Sequence, residues 1–229
     1  MSAVLLGFVL GLQHATDPDH LVAVATIVTR ERRFAAGARV GLLWGVGHML
    51  TLAVAGTVIV ALNLSMSPRV ANGLELVVAA MLVLLGGLRL RDVLRGIVAV
   101  APERRAADHH HEGRRETIHA HHGEAHVHPS EALLKAAGLR ALMVGAVHGM
   151  AGTAAVALLV LATLHTVAAA AIYLVVFGVG TIAGMTALTA AMAYPVARLA
   201  RLRRMREAMA VVSGLAAIAF GCWYAVRLV

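Results

Sequence analysis

The chain has 229 residues, of which 60% are hydrophobic and only 14% are charged, and its formal net charge is +8. A soluble globular domain carries about a quarter charged residues, so this composition indicates an integral membrane protein. The single cysteine, Cys222, excludes an internal disulfide framework and a metal site built from several thiolates.

Six apolar blocks are long enough to cross a bilayer, for which ~20 residues are needed. The first is too long for one straight span and contains Pro18 near its middle, so we expect a broken helix there. It has no basic start and no cleavage site of a signal peptide, which predicts a mature span. The fifth is expected to end at Tyr194-Pro195, because the residue before a proline disfavours helix. The predicted spans are 2–29, 40–62, 70–88, 141–164, 166–194 and 208–226.

The basic residues lie almost entirely in alternate connections between these spans. Of the 20 Lys and Arg residues, 18 lie in three segments, and the other two are Arg69 and Arg227. Because cytoplasmic loops are enriched in Lys and Arg, this pattern predicts a multi-pass cell-membrane protein with both termini outside. Topology thus accounts for the positive charge, and no nucleic-acid-binding signature accompanies it. The three segments predicted to be cytoplasmic are 30–39, 89–140 and 198–206.

Short motifs of the first half recur in the second half in the same order. Since each half holds three spans, the second half begins on the opposite side of the membrane, which gives the inverted repeat of many secondary transporters. We therefore predict an all-α polytopic protein with six transmembrane helices in two inverted three-helix repeats, 1–95 and 139–229, joined by a cytoplasmic linker, 96–138. The matches are Gly11-x-x-His14 with Gly145-x-x-His148, WGVGHM (44–49) with FGVGTI (177–182) and, more weakly, LLGG (84–87) with AFGC (219–222).

The stretch HATDPDH, residues 14–20, places two histidines and two aspartates around a proline inside the first apolar block. An aspartate at the centre of a membrane helix costs ~2.5–3.5 kcal/mol on insertion scales, which indicates a function for this cluster. A break at Pro18 lets side chains converge that a straight helix would hold apart. The candidate metal ligands are His14, Asp17 and His20, with Asp19 as a fourth ligand or as the acceptor that orients an imidazole. The alternative is a polar cluster that only ties helices together.

Two further histidines lie within predicted spans. His48, in WGVGHM, is a ligand or gate candidate because of its place in the repeat, although alone it could be a core histidine. His148, the counterpart of His14, is followed by GMAGTAA without an acidic residue, so we expect a weaker contribution from the second half. Thr153 and Thr181 can supply hydroxyls there. Imidazole and carboxylate ligands without a thiolate suit divalent Ni, Co or Zn better than Cu(I).

The pattern His14-x4-Asp19-His20 resembles the His-x4-Asp-His signature of the nickel/cobalt transporter family (NiCoT, or NicO), and WGVGHM resembles its second motif. The resemblance covers most of the chain and implies Ni²⁺ or Co²⁺ as the transported ligand, with no resident cofactor and no enzymatic activity. The family's later motifs contain Asp and Glu, whereas the corresponding HGMAGTAAVAL and FGVGTIAGM contain no carboxylate. In this respect the chain is similar to the six-span urease-accessory relatives of the UreH type, and also to nickel/cobalt exporters with a His-rich loop.

The segment 101–130 contains eight of the thirteen histidines. Its low hydrophobicity and mixed charge predict disorder. The irregular spacing of its histidines is unlike a fixed structural site, so we expect exchangeable binding of divalent metal; the alternative is a solvated linker that happens to be rich in histidine.

These features predict a secondary permease in which Ni²⁺ or Co²⁺ crosses the membrane by alternating access through a His/Asp site. The sequence contains no GxxxxGK[ST] motif, so the energy is expected to come from an ion gradient, the membrane potential or a partner. A haem-binding or redox subunit with His48 and His148 as axial ligands is the alternative, but it leaves both aspartates unexplained. An intramembrane hydrolase lacks the HExxH motif. The predicted partners are the metal ion and the bilayer, and a homo-oligomer or a cytoplasmic metal-handling protein is left open.

Overall fold

The computed structural model describes residues 3–28, 34–61, 67–97, 129–150, 166–199 and 203–228. These residues form seven α-helices, as expected for long apolar blocks whose backbone groups must be satisfied within the bilayer. The helices are α1 (Ala3–His14), α2 (Pro18–Val28), α3 (Phe34–Ala61), α4 (Pro68–Leu94), α5 (Pro129–His148), α6 (Val167–Leu199) and α7 (Arg203–Leu228).

Four helices of the described segments are long and apolar enough to cross a membrane. Large apolar side chains on their outer faces are exposed, among them Leu50 at 63% and Val54 at 58%. Helices α1 and α2 and the described apolar part of α5 are shorter. The chain is therefore a multi-pass membrane protein whose described segments are all helical. The four long spans are Phe34–Val58, Pro68–Leu94, Ala168–Val196 and Arg204–Leu228.

The first apolar block is broken at the predicted place. Helix α1 ends at His14, and Pro18 occupies the first position of α2, where the missing N–H of a proline is not needed. In the turn between them the His14 carbonyl accepts a hydrogen bond from the Asp17 N–H at 3.2 Å. The Asp17 carbonyl then accepts from the Leu21 N–H at 3.1 Å as the new helix begins. The prediction of a broken first helix is confirmed.

The apolar span Ala168–Val196 ends close to the predicted position, but the prediction that the helix ends at Tyr194-Pro195 is wrong, because α6 continues through Pro195 to Leu199. A proline inside a helix costs ~3 kcal/mol, since it removes a hydrogen bond to the carbonyl four residues back and crowds it. Here that carbonyl belongs to Ala191, which lies on the exposed side of the helix. The following turn is held by Arg198, whose guanidinium donates to the Tyr194 hydroxyl at 2.9 Å and lies over its ring.

Helices from the two halves pack against each other at glycines. Helix α1 packs along α6, α5 packs along α3, and α3 also packs along α6. Gly11 lies against the Phe177 carbonyl, and Gly145 lies against the Trp44 carbonyl, so a side chain at either glycine would overlap backbone atoms. Such close approach is the usual function of small residues between membrane helices.

Helix α4 packs along α7, and α2 packs mainly on α7. At the α4–α7 crossing, Gly86 lies against the Gly214 carbonyl, and Gly221 lies against the Ala79 carbonyl. These contacts join the last helix of each half.

Helices α3 and α6 each bury a stripe of side chains at every fourth residue, which lie on one face of a helix. In α3 the stripe consists of Val40, Trp44, His48 and Leu52, so His48 lies in the protein interior rather than towards lipid. The matching stripe of α6 consists of Tyr173, Phe177, Thr181 and Met185.

Some predictions concern residues that the described segments omit. The His-rich segment 101–130 lies almost wholly outside them, as do Thr153 and the second half of the predicted span 141–164. Helix α5 begins at Pro129, within the segment 96–138 that we predicted as a linker.

Candidate metal centre

Four histidines from four helices converge beside the break between α1 and α2. His14 and His148 are the last residues of α1 and α5, whereas His20 and His48 lie in α2 and α3. All four are buried, and His20 is completely inaccessible. The centroid of the His20 ring lies 4.8 Å from that of His14, 5.1 Å from that of His48 and 4.4 Å from that of His148. His20 is thus the centre of the cluster.

The side chains meet in two overlapping groups of possible metal ligands. One ligand atom from each of His14, His20 and His48 lies within 4.8 Å of the other two. The same is true of Asp19, His20 and His148. The fold therefore brings together five of the six predicted site residues. His20 belongs to both groups.

Asp19 is placed to orient two of the imidazoles. One of its carboxylate oxygens lies 3.2 Å from His20 Nδ1, and the other lies 2.8 Å from His148 Nε2. A carboxylate only accepts, so we assign the donor proton to each of these nitrogens; a neutral imidazole then has a lone pair on its other nitrogen. Those nitrogens, His20 Nε2 and His148 Nδ1, have no hydrogen-bond partner. A carboxylate behind an imidazole is the usual arrangement around protein-bound metals.

Asp17 has the same relation to His14. Its Oδ2 accepts from His14 Nδ1 at 2.9 Å, which leaves His14 Nε2 as an acceptor. That nitrogen lies 2.9 Å from His48 Nε2, so His48 donates to it. His48 Nδ1 is then a third buried nitrogen with a lone pair and no hydrogen-bond partner. Asp17 itself lies outside both groups, its side chain is 29% exposed, and its carboxylate pairs with His14.

The second half contributes through His148 and not through the hydroxyl of Thr181. The Thr181 Oγ1 donates to the Phe177 carbonyl at 3.0 Å, one turn back in its own helix. From the sequence we expected a weaker contribution of His148, because no acidic residue follows it. In the structure His148 has an acidic partner, which is Asp19 from the first half. Those two residues are 129 positions apart, so no local motif contains both.

Two aromatic side chains that the sequence analysis did not single out enclose the imidazoles. The Trp44 ring lies 5.4 Å from His20 and 6.0 Å from His148, and the Phe177 ring lies 5.7 Å from His14. Both are almost completely buried. The sequence feature that could have identified Trp44 and Phe177 is that they occupy equivalent positions in the repeated motifs WGVGHM and FGVGTI. An apolar shell of this kind limits the access of solvent to a metal site and lowers its dielectric constant.

The geometry also bears on the haem alternative. The rings of His48 and His148 lie 6.1 Å apart, but the His20 ring packs against both of them. A porphyrin between two axial histidines would need the space that His20 fills. The arrangement instead suits a single ion with imidazole and carboxylate ligands.

The separation of His14 Nε2 and His48 Nε2 also fits a metal ion. Two nitrogens bound at right angles to one ion, with bonds of about 2.0–2.1 Å, lie about 2.9 Å apart. The observed separation is 2.9 Å. An ion that binds both nitrogens would replace the proton between them.

The family model of NicO, described as high-affinity nickel-transport protein, matches residues 1–228. The chain belongs to this family, and the resemblance found in its motifs is confirmed. It is similar to the urease accessory protein UreH of Bacillus sp. (strain TB-90), with 31% identity over 155 residues. The match covers 66% of this chain and 59% of that relative, so the chain matches less than two thirds of the curated relative's length. No solved structure matches the chain.

Proposed function

We propose that the protein is a secondary permease that moves Ni²⁺ or Co²⁺ across the cell membrane and has no enzymatic activity. The observation that supports this best is the group of His14, His20 and His48, whose ligand atoms lie within 4.8 Å of one another. They lie beside a broken helix in a membrane protein of a nickel-transport family. Buried polar atoms without a partner are costly, and a dehydrated divalent ion is the partner that these nitrogens can share.

In this proposal the three imidazoles bind the ion, and the two aspartates act through them. Asp17 holds His14 and Asp19 holds His20, so that His20 presents a free nitrogen and His14 presents the nitrogen that now accepts from His48. Fixed ligands of this kind take over the hydration shell of the ion inside the membrane. Asp19 is negatively charged and also offsets part of the charge of a divalent cation.

We further propose that the chain is an inverted repeat of two three-helix halves. The packing supports it, because each of these glycine contacts has a counterpart formed by the equivalent residues of the other half. Helices α1 and α2 have 12 and 11 residues, or about 18 and 16 Å of helix, and together match a bilayer core of about 30 Å. The paired contacts are Gly11 with Phe177 and Gly145 with Trp44, and Gly86 with Gly214 and Gly221 with Ala79.

An inverted repeat provides the basis for alternating access around a site near the midplane. With both termini outside, α1 enters from the outside and ends at the site, and α5 enters from the cytoplasm and ends there as well. The His-rich loop then lies in the cytoplasm, where we expect exchangeable metal binding.

The test is Ni²⁺ uptake into proteoliposomes that contain the purified protein. We expect His14→Ala, His20→Ala and His48→Ala each to lower the initial rate at least tenfold, because each removes one of three ligands. Thr181→Ala is the matched control, since Thr181 is the repeat counterpart of His48 and its hydroxyl bonds only within α6. Wild-type rates in all three histidine variants, or no flux of any divalent metal in the wild type, would refute the proposal.

The direction of flux is tested in cells. Total nickel and cobalt measured by mass spectrometry, with and without expression, rises for an importer and falls for an exporter. His20→Ala expressed at the same level is the control, because it removes the central imidazole.

A further inference from the structure

We propose that Asp19, His20 and His148 form a second position for the transported ion, and that His20 passes the ion between this position and the first. The first position is the group of His14, His20 and His48 described above. The inference rests on the proposed transport function. It makes His148 a ligand of the transported ion, and the site then consists of two ion positions rather than one.

The geometry that supports the relay is the position of His20. Its ring meets His14 edge-on at an interplanar angle of 72° and meets His148 edge-on at 70°. His20 contributes a ligand atom to each group, and the three ligand atoms of each group lie within 4.8 Å of one another. Its Nε2 is buried and has no hydrogen-bond partner. Nε2 is therefore available to an ion at the first position, whereas Nδ1, which faces Asp19, meets an ion at the second position once its proton has moved to Nε2.

The two positions are displaced from each other along α3. His14 lies beside His48 and Phe177, with ring centroids 5.0 and 5.7 Å away. His148 is equally close to His48 and to Trp44, at 6.1 and 6.0 Å, and Trp44 precedes His48 by about one turn of helix, or about 6 Å. Given the predicted topology, in which α3 runs outwards, the first position is nearer the outside and the second is nearer the cytoplasm.

His20 has only one free lone pair, so it can bind an ion at one position at a time. Occupation of the two positions is then mutually exclusive, and transfer of the ion is accompanied by movement of the imidazole proton to the nitrogen that the ion leaves. The ligand sets differ, because the first position offers three imidazoles and the second adds the buried Asp19 carboxylate. His148 is the repeat counterpart of His14, so each position contains one of these two equivalent histidines.

The experiment uses Trp44 as a local reporter, because its ring lies against both His20 and His148. The chain has two tryptophans, and Trp223→Phe leaves Trp44 as the only one. Full-length protein in this background is titrated with Ni²⁺, which quenches a tryptophan that it approaches. Initial Ni²⁺ flux is measured on the same proteins in proteoliposomes.

We expect His14→Ala and His148→Asn each to keep saturable quenching, since each leaves one position, but to lower the flux at least tenfold. His20→Ala and the double variant His14→Ala/His148→Asn should lose saturable quenching. Thr181→Ala should match the background protein in both measurements. Asparagine at 148 can still hydrogen-bond to Asp19, so this variant tests loss of the imidazole with the polar contact retained.

Wild-type flux in His148→Asn would overturn the relay and leave the proposed transport function intact. Absence of Ni²⁺ flux in the wild type would instead refute the transport function. A second test does not depend on the folding of any His148 variant. X-ray absorption of Ni²⁺ bound to His14→Ala/Trp223→Phe should show two imidazole ligands with a carboxylate oxygen, and failure of this protein to bind Ni²⁺ at the site would also overturn the relay.

Discussion

Each imidazole of the candidate metal centre is held by a hydrogen bond, and all but that of His14 have a second nitrogen without a partner. His14 is held by Asp17, and His20 and His148 are both held by Asp19. His48 is held by its contact with His14. Because a neutral imidazole has one donor and one acceptor nitrogen, these contacts determine which nitrogen can meet a metal ion.

This assignment makes Asp17 testable apart from the ligands. Asp17→Asn keeps the size of the side chain but weakens the acceptor for His14 Nδ1, so His14 loses its fixed orientation. We expect the Ni²⁺ concentration needed for half-maximal uptake to rise about 10–100-fold, the usual effect of removing such a partner. Gln13→Ala, an exposed neighbour in the same helix, is the control. An unchanged concentration dependence in Asp17→Asn would contradict the assignment.

The sequence predicted His14, Asp19 and His20 because they lie in one short motif around a proline. It could not predict that Asp19 pairs with His148, since only tertiary packing brings residues 129 positions apart into contact. It also left open whether Asp19 is a ligand or an orienting acceptor. That distinction depends on which oxygen faces which nitrogen, and no pattern of residue types contains it.

At the scale of the helices, prolines in similar sequence contexts have different effects. Pro18 begins α2, whereas Pro195 lies inside α6. At Pro18 the break brings polar side chains together in the protein interior. At Pro195 the carbonyl that loses its hydrogen bond belongs to the exposed Ala191. The sequence alone gives the local preference of the residue before proline but not the burial of the carbonyl that decides the outcome.

Glycines at helix crossings offer a prediction about packing. A methyl group at Gly86 would lie 2.5 Å from the Gly214 carbonyl oxygen, whereas one at the adjacent Gly87 would meet nothing within 4 Å. We expect Gly86→Ala to destabilise the protein by about 1–3 kcal/mol through overpacking. Gly87→Ala should leave stability unchanged or raise it slightly, since alanine favours helix. Thermal unfolding in detergent measures both, and equal melting temperatures would contradict the close α4–α7 approach.

At the scale of the whole molecule, the charge distribution predicts the orientation in the membrane. Arg69 and Arg95 are both exposed and lie at opposite ends of α4. In a Cys222→Ser background, we expect a membrane-impermeant maleimide to label Arg69→Cys in intact cells and Arg95→Cys only after lysis. Cys222 is removed first because it is exposed. The reverse labelling pattern would show that the termini are cytoplasmic.

The histidines of the loop and the buried histidines of the candidate metal centre should differ in their effect on transport. Deletion of about 106–128 removes histidines that we expect to bind metal weakly and interchangeably in water. We expect the deletion to leave the maximal Ni²⁺ flux unchanged and to alter only how activity responds to the metal level in cells. Loss of flux as complete as in His14→Ala would place the loop in the transport pathway.

The sharing of Asp19 between His20 and His148 has a consequence for the ancestry of the two halves. If the halves descend from a duplicated unit, the position equivalent to Asp19 in the second copy is now Thr153, which has no charge. Once one carboxylate served both copies, a second one became redundant and its loss carried no penalty. The copies then ceased to be interchangeable, and a mutation at Asp19 affects both of them.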